Sequence, residues 1–150
     1  MSGVQIPQRL PGSLSKEINV KKLLLAFVIF TTPAMADYDV VISKRHQTME
    51  IYENGELLDV WPVSTARRGY STPSGTFYPY SYQPMHYSKK YDNAPMPHSI
   101  FFSGGYAIHA TPHVSGLGTP KSHGCVRLSP RNASILYSMT KGVPTTITIK

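Results

Sequence analysis

Asp37 to Ser43 alternates between apolar and polar residues and is rich in valine and isoleucine, a pattern that suits a β-strand. Gln47 to Tyr52 continues it, and Asn54-Gly55 then closes a hairpin, because both residues tolerate positive φ. Glu56 to Val63 is the predicted returning strand, with Trp61 as a core anchor. Pro62 lacks a backbone N–H and points to an edge or a bend there. Thr72-Pro73-Ser74-Gly75 is a second turn, followed by an aromatic strand from Thr76 to Tyr80. Residues 81–98 show no clean period and contain Pro84, Pro95 and Pro97 among Tyr82, Tyr87 and Tyr91. A structureless stretch of that length implies a lid or binding loop. Two apolar runs, Ser99 to Phe102 and Tyr106 to Ala110, are broken by Gly104-Gly105. Ser129 and Pro130 supply a hydroxyl cap and a first-turn proline, so a helix is predicted to about Thr140, ending at Gly142. Thr145 to Ile149 reads as a last strand. The elements sum to a mostly-β domain with one helix.

Ahead of these elements the pattern changes. Lys21 and Lys22 precede an apolar run from Leu23 to Phe30, and Ala34-Met35-Ala36 places small residues as a signal peptidase site requires. Eight apolar residues are too few to span a bilayer, which takes roughly 20. The expectation is a signal peptide cleaved after Ala36, so that 1–36 is extension and signal, 37–150 is the mature domain, and the protein is exported to the periplasm or cell wall. The signal is complete from Val20, so both Val20 and Met1 stand as translation starts.

Composition sharpens this picture. With 150 residues there is room for about one domain. Thirteen prolines and eleven glycines agree with short strands joined by turns. After Ala36 there are 11 Lys+Arg and 7 Asp+Glu, a net charge of about +4. The basic pairs Lys44-Arg45, Arg67-Arg68 and Lys89-Lys90 lie far apart in the chain, unlike the clustered stripe that nucleic-acid binding favours. A modest positive field still draws an anionic polymer such as the cell wall.

Cys125 is the single cysteine, so no intramolecular disulfide forms. It stands in Lys121-Ser122-His123-Gly124-Cys125-Val126-Arg127-Leu128, with Ile108-His109-Ala110 upstream. A thiol attacks carbonyls as thiolate, and a neighbouring imidazole can take its proton to give an ion pair. His123 lies two residues before the thiol, on the same side if the segment is extended. His109 ends a predicted strand sixteen residues earlier, far enough for the chain to return and face the sulfur. Gly124 allows a close turn, so its amide and that of Cys125 could point at a developing oxyanion. A buried structural thiol is the commoner fate of a lone cysteine. The residues alone leave both readings open.

The heptad Ser122 to Leu128, whose cysteine lies sixteen residues after His109 of the Ile108-His109 pair, resembles the signature of the L,D-transpeptidase catalytic-domain family. Further blocks are similar to that family: Val63-Ser64-Thr65, Thr72 to Phe77, Met96 to Phe102 and Gly104 to His109. The resemblance implies a β-sandwich of mixed sheets with the cysteine in a cleft at one end. It implies Cys125 as nucleophile, His109 as general base and acid, the Ala110 carbonyl orienting that imidazole, and Gly124 in the oxyanion hole. Many members carry Gly or Ser where Ala110 stands, but only a carbonyl is needed. His123 would shape the pocket and tune the thiol, while Arg127, Ser122 and Tyr106 would meet substrate; for Arg127 a structural salt bridge is an equal reading. The implied substrates are peptidoglycan tetrapeptide stems, with a stem amine, a lipoprotein lysine or water as acceptor, carbapenem-type compounds as inhibitors, and no metal or cofactor. Two other classes compete. One is a zinc site of His109, His113, His123 and Cys125; the other is a non-catalytic wall-binding module gripping polymer through the tyrosines of 78–91.

Overall fold

In a computed structural model, residues 35–150 are described, together with Gly3, Val4 and Gly12. The candidate start at Val20 and the apolar run of the expected signal lie outside the described residues. Among the described residues no helix is long and apolar enough to cross a membrane.

The alternating segments form the strands they predict. Strands β1 (Tyr38–Ser43), β2 (Thr48–Glu53) and β3 (Glu56–Pro62) make an antiparallel meander. Asn54 and Gly55, at φ 51° and 82°, turn between the last two. Strand β9 (Thr145–Ile149) returns parallel to β1, and β4 (Gly75–Phe77) pairs antiparallel with β9. The sheet order is β3-β2-β1-β9-β4, which puts β3 and its Pro62 at an edge. The aromatic strand expected from Thr76 to Tyr80 is only three residues long. Pro79 follows, and by Tyr80 the chain has crossed to the second sheet, where the Tyr80 amide donates to the Phe101 carbonyl (2.9 Å).

That second sheet runs β5 (Ser81–Ser88), β6 (Ala94–Ser103), β7 (Tyr106–Ala110), β8 (Val126–Leu128). Residues 81–98 are therefore not a structureless loop. They form a long hairpin, with Tyr82 opposite Ile100 and Ser88 opposite Ala94. The prolines concealed it. Pro84 lies on an edge strand, and Pro95 and Pro97 lie in the part of β6 before its pairing with β7 begins at Ile100. Strand β8 runs parallel to β7, and its far side is bridged by Ser64, whose amide and carbonyl exchange hydrogen bonds with Arg127.

Helix α1 (Pro130–Thr140) starts where the cap predicts: Ser129 Oγ accepts from the Asn132 amide, and Gly142 at φ 79° follows the helix. One apolar cluster draws Val40, Ile42, Met49, Ile51 and Ile147 from the first sheet, Ile100, Ile108 and Leu128 from the second, and Leu136 from α1. Among the described residues the result is mostly β, a sandwich of two mixed sheets as the resemblance implied, with the one α-helix that the cap predicted.

Candidate active site

The site follows from the pleat of β7 and β8. Ile108 pairs with Val126 and His109 with Arg127, and Ile108, Ala110, Val126 and Leu128 all face the core. The alternate residues Ala107, His109 and Arg127 therefore face outward, with Cys125 one step before the ladder. Cys125 packs on that outer face against Met96, Phe101 and Ala107. His109 and Cys125 thus occupy one face of adjacent strands, about one pleat apart.

Both line a cavity of about 930 Å³. The tip of the β5–β6 hairpin forms one wall, from His86 to Asp92, and Pro112, His113 and the cysteine loop form another. The lid expected of 81–98 is thus a structured hairpin whose tip borders the site.

His109 is buried, and its Nδ1 lies 2.8 Å from the Ala110 carbonyl oxygen. A carbonyl only accepts, so Nδ1 carries the proton and Nε2 keeps its lone pair. Burial lowers the His109 pKa to about 4, overriding the opposite pull of the Ala110 hydrogen bond, with Arg127 and His86 adding to the lowering. The Cys125 thiol is pushed up by burial, with the Ala107 backbone and the Arg127 charge acting against it. Both shifts favour a neutral thiol and a neutral imidazole at rest over the ion pair that a neighbouring imidazole can give. Among the described residues no hydrogen bond joins the sulfur to His109; Sγ makes a long contact of 3.9 Å to the Gly105 carbonyl.

Gly124 has φ +142°, and a Cβ there would lie 2.6 Å from Tyr106 Cε1 and 3.1 Å from the Ser71 carbonyl oxygen. The glycine is needed for close approach. Its amide donates to Ser122 Oγ (3.0 Å) and its carbonyl accepts from the buried Thr72 hydroxyl (2.7 Å). The Gly124 amide is therefore engaged rather than free for an oxyanion. Ser122, 1% exposed, sits at the cavity wall and braces this loop through that bond. Tyr106 lines the cavity beside Gly124. Arg127 also lines it, half-buried; desolvation lowers its pKa, and no carboxylate is among the groups acting on it.

The segment around His123 is bent, not extended, and its ring lines the same cavity as Cys125. Its Nε2 lies 2.8 Å from Arg67 Nη2. The ring stacks on Tyr91 at 4.5 Å and 11°, and meets Tyr70 edge-on at 4.7 Å. Sequence reasoning placed Tyr91 only in the expected lid or polymer-gripping stretch and missed Arg67 and Tyr70, because Arg67 and His123 are 56 residues apart and Arg67-Arg68 reads as surface charge. Among the described residues no three His, Cys, Asp or Glu side chains gather as a metal-binding group, and Arg67 occupies His123 Nε2. The zinc arrangement of His109, His113, His123 and Cys125 is not formed.

Known proteins share this arrangement of elements. A protein of Bacillus licheniformis with the provisional name L,D-transpeptidase YkuD is 26% identical over 111 residues, covering 71% of this chain and 62% of its own. An L,D-transpeptidase from Mycobacterium smegmatis superposes with a TM-score of 0.71 at 26% identity, over 77% of this chain and 59% of that one. The L,D-transpeptidase LdtMt1, solved in complex with imipenem, has a TM-score of 0.69 at 24% identity, over 77% of this chain and 59% of its own, and speaks to the fold. The chain spans about three fifths of the length of these relatives. Residues 37–149 match the YkuD family, the L,D-transpeptidase catalytic domain, and the chain belongs to that family.

Proposed function

We propose that the protein is an exported peptidoglycan L,D-transpeptidase working through a thioester on Cys125. The observation that carries this reading is the tautomer of His109. With Nδ1–H held by the Ala110 carbonyl, the lone pair at Nε2 is the one available to a thiol on the same strand face. As Sγ attacks the diaminopimelate carbonyl of a tetrapeptide stem, its proton passes to Nε2. The tetrahedral intermediate collapses, Nε2 returns the proton to the departing D-alanine nitrogen, and a thioester remains. A stem amine then attacks the thioester, losing a proton to Nε2, and the thiol is restored.

A neutral resting pair is consistent with this chemistry, because proton transfer is then coupled to attack, when substrate has closed the cleft. Arg127, outward-facing and close enough to stabilise the thiolate, favours the charged form as it appears. The imipenem bound by LdtMt1 supports carbapenem-type compounds as inhibitors here.

The reading is tested at the sulfur. Cys125→Ala should abolish D-alanine release from tetrapeptide stems and leave near-UV circular dichroism unchanged. Cys125→Ser should be almost as inactive, since a hydroxyl is far harder to deprotonate than a thiol. Substantial release by the alanine variant would rule the thioester out. Product analysis with and without an amine acceptor separates transpeptidation from hydrolysis.

A further inference from the structure

His123 lies within the cysteine loop, yet its contacts are to groups that the chemistry above does not use. Arg67 has donors only, so His123 Nε2 must accept its hydrogen bond (2.8 Å). The imidazole is therefore neutral and carries its proton on Nδ1. That N–H has no protein partner among the described residues, and the ring lines the cavity that holds Cys125. Its plane is fixed as well as its proton. Tyr91, at the tip of the β5–β6 hairpin, stacks on it, and Tyr70 meets its edge. Both tyrosines are themselves held by cations: Arg67 Cζ lies 5.0 Å from the Tyr70 ring centre and Lys90 Nζ 5.5 Å from that of Tyr91.

We propose that Arg67 and Tyr91 are positioning residues for His123: Arg67 fixes its neutral Nδ1–H tautomer, Tyr91 fixes its plane and ties the hairpin tip to the cysteine loop, and the remaining N–H is the donor offered to the acyl oxygen of substrate. The last clause rests on the transpeptidase reading; the tautomer does not. The arrangement also gives a use to an engaged Gly124 amide, since a side-chain donor supplies what that amide withholds. Protonation would place a second N–H against the guanidinium. Desolvation of the ring opposes it first, and the cations around His123, which are Arg67, Arg127 and Lys90, add to that opposition.

The test is long-range ¹H–¹⁵N correlation on the full exported protein with labelled histidine, the His123 signals being assigned with His123→Gln. The expected wild-type signature is a protonated Nδ1 and an unprotonated Nε2. Arg67 is exposed, so Arg67→Ala should fold normally. It should convert His123 to a mixture rich in the Nε2–H form and raise its titration midpoint. It should also lower kcat for acylation by about 10- to 100-fold, the scale of a misplaced group, with little change in KM. Arg67→Lys, which restores a cationic donor, should recover the Nδ1–H form and most of the rate. Tyr91→Ala should raise KM as the hairpin tip is released, and Tyr91→Phe, which restores the stacking ring, should bring KM back toward the wild-type value. A wild-type Nε2–H tautomer, or a tautomer and titration unmoved by Arg67→Ala, would overturn the proposal. An Arg67-dependent tautomer in a protein with no stem-peptide turnover would uphold the positioning and overturn the transpeptidase reading instead.

Discussion

At His109 two effects oppose each other, burial against the hydrogen bond to Ala110, and burial wins: the pKa falls to about 4. An exposed imidazole would lose its base form below about 6.5. The acid limb of the acylation rate should accordingly lie near pH 4–5, and a limb at 6.5 would show that His109 is not the base or is not buried during attack. The same shift is a statement about stability. The unfolded chain binds this proton more tightly than the folded one, so the contribution is full above 6.5 and is lost as pH falls toward 4. The loss amounts to about 3 kcal/mol, as a shift of that size implies. Denaturant melts at pH 7 and pH 4 should differ by that order in wild type and by clearly less in His109→Gln. His109→Ala should lose about 10²–10⁴-fold in rate at neutral pH and regain part of it in alkali, where Cys125 ionises unaided. His123→Ala should be slowed at every pH without such recovery.

Among the elements, the cysteine loop depends most on one residue. Gly124 combines φ +142° with a ring carbon that would stand 2.6 Å from any Cβ. Gly124→Ala should therefore cost about 1–3 kcal/mol from backbone strain alone, before Tyr106 is displaced. Thermal melting reads the first effect, and the rate of Cys125 acylation reads the second; an alanine variant that melts and reacts like wild type would mean the loop is not held as described. The elements also show where sequence is a poor guide. Strands with alternation on an open face, such as β1 and β2, and a helix with both a hydroxyl cap and a stop glycine, are determined by neighbouring residues. The β5–β6 hairpin is not. Its prolines contradict a central strand, and only the sheet order, which leaves one side of β5 and of early β6 unpaired, makes them acceptable. The three-residue β8 was likewise hidden within the cysteine motif, because its partners β7 and Ser64 are distant in sequence.

The whole molecule divides its site into a part written locally and a part that only folding assembles. Cys125, His109 and the Ala110 carbonyl are separated by one strand connection, and their residue types declare their chemistry. Arg67, Tyr70 and Tyr91 come from two other segments and carry no such signal, so their meeting at His123 depends on both sheets being in place. The apolar core that holds those sheets together begins at Tyr38, with Ala36 packed against it, and ends at Ile149 among the described residues. The boundary proposed for export falls just ahead of that core. The Asp37 amide donates to Asn54 Oδ1 (3.1 Å), and its carbonyl accepts from the Asn54 amide (2.9 Å). Cleavage after Ala36 would turn that amide into an ammonium group, which remains a donor to the same oxygen, so the end of β1 keeps its anchor on the β2–β3 turn. Mass spectrometry of the secreted or periplasmic protein should give Asp37 as the first residue. A chain begun at Asp37 should melt within a few degrees of the exported protein and acylate at the same rate. A mature protein that retains Leu23 to Phe30 would instead make the apolar run a membrane anchor and the enzyme a surface-bound one.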